Sequence, residues 1–403
     1  MQQSAINWKG VLFGLALSIF AAYQQLKLPP VLPILIETYG FGRTLAGGFI
    51  SVYALLGLLL SLRLGAIMQR RGMTALLGVA FSLFAVAATI MMVWPQHGWL
   101  FLTARAMEGV AFAILAIAGP AICTANAGVR GLAIAAALIA TWIPMGALIA
   151  NLLTAALVEW AGWRSLWAIG LLATGAMALC TVAVLRDPRV RLGRPHHLDT
   201  AGTAAPVADG ERLRWRTMAL AAALFTLWSL QMFAYLTWLP DYLVQNHGHE
   251  PRMAALLFTV PMAVLTVFNL VAAPILRAGV PVALLFAMAV GVQTSFWLLL
   301  PWLDLVSAAI GGLFIYAAAS GVAPTCLFAL PATIFGVDRA GGRAFGALMT
   351  GRNLGVLCGP LLIGALIEYI GAWHAVPFVL GGIGFCTVAG ALVLHTRLRR
   401  LDA

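Results

Sequence analysis

Arg105 and Glu108 stand three residues apart in "TARAMEGVAFA", inside a long apolar stretch of a 403-residue chain. On a helix that spacing puts both side chains on one face. One reading is a structural ion pair that neutralises itself and ties its helix to its neighbours. The other is a coupling element, in which Glu108 takes up and releases a proton while Arg105 tunes it or holds a substrate. Glu108 is the acid placed deepest in apolar sequence, so it is the proton-site candidate.

Two more cations lie in apolar surroundings. Lys27, one of only two lysines, sits in "AAYQQLKLPPVLP", and Arg352 sits in "TGRNLGVLCGP". A Lys or Arg at the centre of a membrane helix costs roughly 2.5–3.5 kcal/mol, so each needs an explanation. Lys27 precedes Pro29–Pro30, which disturb a helix and leave backbone carbonyls for a lysine to satisfy. It can also snorkel to an interface, or contact a substrate. Arg352 lies about nine residues into its run, ~13 Å deep at ~1.5 Å per residue. Its planar guanidinium suits a carboxylate or another planar anion, and Asn353 adds an amide. Bonding to a carbonyl or an acid is the structural alternative. Gly351, Gly355 and Gly359 form a stripe that admits a close neighbouring helix.

Three cations against one acid leave an interior charge of about +2, which an anionic ligand would offset. Tyr23, Gln24, Trp142, Gln231, Trp238, Tyr235 and Tyr316 could complete such a pocket. Each has packing or an interface belt as its alternative role, and Asn269 and Gln293 read as helix bridges.

The elements that position these residues follow from composition. The chain is 62% hydrophobic and 9% charged, against about 25% charged in soluble proteins. That is an all-α integral membrane protein. Twelve apolar runs are long enough to cross a bilayer, roughly 11–36, 43–64, 73–94, 99–124, 131–158, 163–185, 217–243, 253–276, 280–302, 305–331, 343–369 and 373–396. With the N-terminus in the cytoplasm, predicted inner segments hold 18 of the 24 basic residues, while outer loops hold only Arg43, Arg164 and Arg252. This bias predicts both termini in the cytoplasm of a multi-pass protein of the inner (plasma) membrane. It also accounts for the net charge of +11 with no nucleic-acid partner. Lys9 followed by Val11–Ala22 is like the start of a signal peptide, and is expected to stay as the first span.

The arginine-, proline- and glycine-rich segment 186–216 reads as a cytoplasmic linker between two six-helix bundles, 1–185 and 217–403. Its His196–His197 pair reads as solvated. Internal matches support duplication: "ALVEWAGW" and "ALIEYIGAW" place Glu159 and Glu368 at an offset of 209, while "RRG" (Arg70–Gly72) with "RAG" (Arg277–Gly279) and "LKLPP" with "TWLPD" give 207 and 211. The five cysteines are scattered through apolar sequence and read as packing. No metal, cofactor, nucleophile or phosphate-loop pattern points to an enzyme.

The link between runs two and three, "GAIMQRRGMT" (Gly65–Thr74), resembles the Gly-x-x-x-Asp-Arg-x-Gly-Arg-Arg signature of the major facilitator superfamily. Gly65, Arg70 and Gly72 match, Gln69 replaces the aspartate, and Met73–Thr74 replace the final basic pair. "RAMEGVAFA" (Arg105–Ala113) is similar to the family's Arg-x-x-Gln-Gly element, with Glu108 in place of glutamine, and "GWRSLW" (Gly162–Trp167) is similar to its entry to helix six. The resemblance implies a secondary transporter, functional as a monomer, whose halves rock around a central site, with an inner gate that departs from the usual chemistry at Gln69. "LKLPP" is similar to the cyanate-permease branch. The expected function is transport of a small organic or inorganic anion, coupled to protons or a counter-substrate. The alternative is a drug:proton antiporter. That reading lacks the exporters' Gly-Pro signature, because Pro144 and Gly146 come in the reverse order. A membrane sensor has no soluble domain here to support it.

Overall fold

The computed structural model describes residues 6–41, 43–192, 209–247, 251–302, 306–337, 339–370 and 373–402. The side chains of Gln69 and Trp238 lie outside the described residues, as does 193–208 of the expected linker. Among the described residues the regular structure is helical throughout, with no strand.

Helix α1 (Trp8–Leu26) begins at Asn7, whose side-chain oxygen accepts from the Gly10 N–H at 3.3 Å. It ends at Lys27, because Pro29 and Pro30 have no N–H to give the carbonyls of Gln25 and Leu26. A 3-10 turn (Pro29–Val31) leads into α2 (Leu32–Tyr39), so the first crossing is a broken helix. Then come α3 (Arg43–Arg71), α4 (Met73–Val93), α5 (Gly98–Ala140), α6 (Trp142–Ala161) and α7 (Arg164–Leu185). Gly72 ends α3 with φ 85°, and Gly128 breaks α5 with φ 63°, a region open to glycine at little cost. The second half comprises α8 (Asp209–His247), α9 (Pro251–Arg277), α10 (Val282–Leu299), α11 (Val306–Phe335), α12 (Gly342–Ile370) and α13 (Val376–Asp402).

Ten stretches of described residues are long and apolar enough to cross a membrane. One of them, Gly98–Ala161, is 64 residues long and holds two passes, separated by the break at Gly128. Helix α9, apolar over Ala263–Arg277, supplies the twelfth. The protein is therefore an all-helical membrane protein with twelve spans.

The chain forms two compact units. The first comprises Met1–Ala135, Trp142–Ala205 and Phe335–Thr350. The second comprises Ala136–Thr141, Pro206–Ile334 and Gly351–Ala403. The start of α12 belongs to the first unit because glycines let it touch α3 backbone to backbone. A Cβ on Gly65 would strike the carbonyl of Gly342, and one on Gly346 would lie 2.7 Å from the Ser61 carbonyl.

In the first unit α1 packs on α6 and α7, and α4 on α7. Gly146 of α6 leaves room for the backbone at Ala22 and Tyr23. Beside the break in the first crossing, Phe41, Phe49, Phe101, Trp163 and Trp167 form a run of edge-on and tilted rings with Leu28, Val31 and Leu35. In the second unit α13 packs on α10 and α8. The stripe Gly351, Gly355 and Gly359 of α12 lies directly on the backbone carbonyls of Ala222, Thr226 and Leu230 in α8. The sequence indicated a close neighbour for this stripe, and α8 is that neighbour.

Candidate functional site

The first unit buries a charged cluster where the first crossing breaks. Because α1 stops at Lys27, the lysine side chain turns inward, and it is 0% exposed. Its Nζ lies 2.9 Å from Glu108 Oε1 and 2.5 Å from Gln24 Oε1. It also sits 4.8 Å from the centre of the Trp167 ring, a cation–π distance. The other Glu108 oxygen, Oε2, accepts from Arg105 Nη1 at 2.5 Å and from the Tyr53 hydroxyl at 2.9 Å. Glu108 is therefore held by two cations and a phenol, and it is fully buried.

Arg105 serves a second purpose. Its Nη2 donates to the Gln25 carbonyl at 3.3 Å, the acceptor that Pro29 leaves empty. Its Nη1 reaches the Gln24 carbonyl at 3.3 Å and its Nε the Phe49 carbonyl at 3.1 Å. The guanidinium lies 4.2 Å from the Tyr53 ring centre. The proline-exposed carbonyl is thus satisfied by Arg105. Lys27, for which the sequence suggested that role, snorkelling or a substrate contact, pairs with Glu108. The reason is geometric: Arg105 approaches from α5 at the open end of α1, where a cation also meets the helix's partial negative charge.

Gln24 ties the cluster to α7, donating from Nε2 to the Gly170 carbonyl at 3.2 Å and to Thr174 Oγ1 at 3.4 Å. A Cβ on Gly170 would lie 2.8 Å from Gln24 Oε1 and 3.3 Å from Lys27 Nζ, so only glycine leaves the space these groups occupy. Tyr23 donates to the Leu166 carbonyl at 2.7 Å and acts as an α1–α7 tie beside the ions. Trp142 is buried against Phe112, stacked at 5.7 Å with 15° between the rings. Two cations and one carboxylate, all at most 1% exposed, leave the cluster with one formal positive charge.

The second unit buries a different set. Gln231 Nε2 donates to Gln293 Oε1 at 2.6 Å, and Gln293 Nε2 donates to Ser320 Oγ at 2.8 Å. Ser320 Oγ in turn donates to the Tyr316 carbonyl at 2.8 Å. Tyr235, Tyr316 and Trp297 pack beside this chain, with the tyrosine rings 4.5 Å apart. Gln293 thus bridges helices, as the sequence suggested. Arg352 is 3% exposed, with Nη1 3.1 Å from Asn353 Oδ1 and its guanidinium 5.3 Å from the Phe233 ring.

Of the residues singled out in the sequence, Lys27, Gln24, Arg105 and Glu108 come together, with Tyr23 alongside. Gln231 pairs with Gln293, and Arg352 with its neighbour Asn353. Gly65 and Gly72 are buried at the α3–α4 link, and Arg70 is exposed there. Tyr53 and Trp167 are the cluster members that the sequence did not reveal. Tyr53 is a lone tyrosine in "SVYALLGL", and Trp167 closes "GWRSLW", a motif that does not say what its ring meets. Among the described residues no group of His, Cys, Asp and Glu could hold a metal.

Twelve spans with a broken first helix and buried charge define a multi-pass membrane protein. A family model described as Major Facilitator Superfamily matches residues 11–342. The chain belongs to that superfamily. Solved structures of similar fold include the proton:xylose symporter XylE bound to 6-bromo-6-deoxy-D-glucose, with a TM-score of 0.72 at 12% identity over 96% of this chain and 94% of that one. The human organic anion transporter MFSD10 gives 0.71 at 18% identity, covering 95% and 99%. A variant of the E. coli fucose:proton symporter FucP gives 0.70 at 15% identity, covering 97% and 98%. At these identities the likeness is one of fold. No curated protein matches the chain in sequence.

Proposed function

We propose that the protein is a secondary transporter of a small anion that works by alternating access, as a monomer, with both termini in the cytoplasm. One observation carries the anion reading: Lys27 and Arg105 surround a single carboxylate in a fully buried cluster, leaving one positive charge without a counter-charge inside that cluster. A buried charge of that kind is stabilised by an anion brought into the same low-dielectric space. Structures of similar fold serve sugar:proton symport and organic anion transport. The fold therefore leaves the choice to the site, and the site is cationic. Arg352 in the second unit adds a further buried guanidinium suited to planar anions. The excess of arginines in predicted inner segments supports the orientation.

A thermal-shift screen tests the reading on purified protein in detergent, with acetate, nitrate, sulfate and cyanate set against xylose and fucose at matched ionic strength. The expected result is stabilisation by at least one anion, lost in Lys27→Met. Stabilisation by a neutral sugar alone, with no anion effect, overturns it.

A further inference from the structure

Resting on the anion reading, we propose that Lys27, and not Glu108, carries the coupling proton, so that proton and anion cross together as symport. Lys27, Arg105 and Glu108 are all at most 1% exposed, so the net charge of the cluster governs its protonation. With Lys27 ionised, the cluster holds Lys27, Arg105 and Glu108 at a net charge of one. Taking the proton from Lys27 Nζ leaves the Arg105–Glu108 pair, which is neutral and keeps both the 2.5 Å guanidinium bond and the Tyr53 bond. The uncharged amine still has an N–H for Gln24 Oε1 or Glu108 Oε1.

Putting a proton on Glu108 goes the other way. Lys27 and Arg105 would then face each other as buried cations with no carboxylate between them, a net charge of two. Uncompensated buried charge is the most costly arrangement a protein interior can hold. The cluster therefore moves between one positive charge and none, and the group that makes that step is an ionisable cation. A guanidinium stays charged in proteins, which leaves the lysine as that cation.

The other titratable groups facing Lys27 are accounted for. From α5 they are Glu108 and Arg105, and from α3 Tyr53, whose phenolate would sit 2.9 Å from a carboxylate oxygen. On α1 itself there is Tyr23, whose phenolate would point at the Leu166 carbonyl at 2.7 Å. From α7 come Trp167, Thr174 and the Gly170 carbonyl, none of which titrates. Lys27 is left as the proton site.

Coupling follows by linkage. The ionised cluster holds an unbalanced charge and favours an anion nearby, whereas the neutral cluster does not. Whatever the anion gains from the protonated state, the proton gains from the bound anion. Loading the anion therefore loads the proton, and losing one loosens the other.

The chain contains only Lys9 and Lys27, so the test can watch one atom. Protein labelled with ¹³Cε-lysine, carrying Lys9→Arg, gives a single lysine signal. The expected result is a full ammonium-to-amine transition of that signal within the pH range of the folded protein. Acetate, nitrate, sulfate or cyanate, whichever stabilises the protein, should raise its midpoint by about one pH unit per tenfold preference for the charged state. In Lys27→Arg, anion affinity should lose its pH dependence whatever its size, a result that a purely structural lysine would not give. An anion that binds while the signal stays in the ammonium position across the whole pH range, with and without that anion, overturns the proposal and leaves the anion reading standing. So does a carboxyl transition at Glu108 in ¹³Cδ-glutamate protein. A Lys27 transition in a protein that binds none of the four anions overturns symport and the anion reading together, and keeps only the proton site.

Discussion

The two units bury polar groups by different means. In the first, charge answers charge: Glu108 is gripped by Lys27 and Arg105, and the hydrogen bonds of Tyr53 and Gln24 fill the remaining valences. In the second, a neutral relay runs from Gln231 through Gln293 and Ser320 to a backbone carbonyl. The charged cluster hinges on Glu108, since removing that carboxylate strands two cations in low dielectric. The amide relay is directional, and losing a link costs one hydrogen bond and one orphaned group. A cluster that can be tipped by one proton suits coupling, whereas a relay that stays neutral suits holding helices in register.

The sharpest way to break this contrast is Glu108→Gln. It leaves two buried cations without their shared carboxylate, a change that costs about 3–5 kcal/mol. Thermal unfolding in detergent should show a large fall in Tm or a loss of monodisperse protein. Lys27→Met should be milder, because the Arg105–Glu108 pair it leaves is neutral. Equal stability of Glu108→Gln and wild type would mean that charge balance does not organise the first unit.

Backbone contact comes next. A Cβ at Gly355 would strike the Thr226 carbonyl and come within 2.7 Å of the Ser229 Cβ. Gly355→Val should therefore cost about 1–3 kcal/mol through overpacking. Gly291, with nothing within 4 Å of a built Cβ, is the matched control, and Gly291→Ala should leave Tm unchanged or slightly raised. Comparable losses at both glycines would show that α8–α12 contact is not what holds the second unit.

The relay gives a smaller effect. Gln293→Leu strands the Gln231 amide, at about 1–3 kcal/mol, while Ser320 loses one donor and keeps its bond to the Tyr316 carbonyl. Gln231→Leu combined with Gln293→Leu should recover part of that loss, because fewer buried groups remain unpaired. A double-mutant cycle measured by chemical denaturation gives the coupling. Strict additivity would dissolve the relay into independent packing residues.

How much of this was legible in the sequence depends on the range of each interaction. The spans were legible because ~20 apolar residues in a row have few other uses. The Arg105–Glu108 pair was legible because it lies within one turn of helix. Pro29–Pro30 announced a break, and the glycine stripe at Gly351–Gly359 announced a close helix without saying which one. The Lys27–Glu108 pair joins positions 81 residues apart. Nothing in either local sequence names the other, so the lysine looked available for snorkelling or substrate. Tyr53 was hidden for the same reason: a tyrosine in an apolar span reads as packing until a carboxylate is found at its hydroxyl.

At the surface the same chemistry becomes weak, which gives the last test of the contrast between ionic and neutral ties. Lys9 Nζ meets Asp187 Oδ2 at 2.8 Å, with side chains 56% and 24% exposed. The hydrogen bond from Lys9, and then that from the Arg189 N–H at 3.0 Å, hold the Asp187 carboxyl below its ordinary value of 3.8. A depressed carboxyl contributes stability above its unfolded value and loses it as pH falls through the folded one. Below about pH 4 this tie should therefore loosen. A neutral tie lies nearby as a control: Asn126 Oδ1 accepts from the Arg191 N–H at 2.9 Å, and Asn126 Nδ2 donates to the Arg191 carbonyl at 2.8 Å. Hydrogen-exchange protection, corrected for intrinsic rate, should fall at Arg189 between about pH 5 and pH 3 and stay level at Arg191. Added salt should shrink the Arg189 effect, since exposed pairs are screened. In Asp187→Ala the pH dependence at Arg189 should vanish. If Arg189 and Arg191 respond alike, the acid-sensitive step is a wider opening of the α1–α7 end, and Asp187 is not its cause.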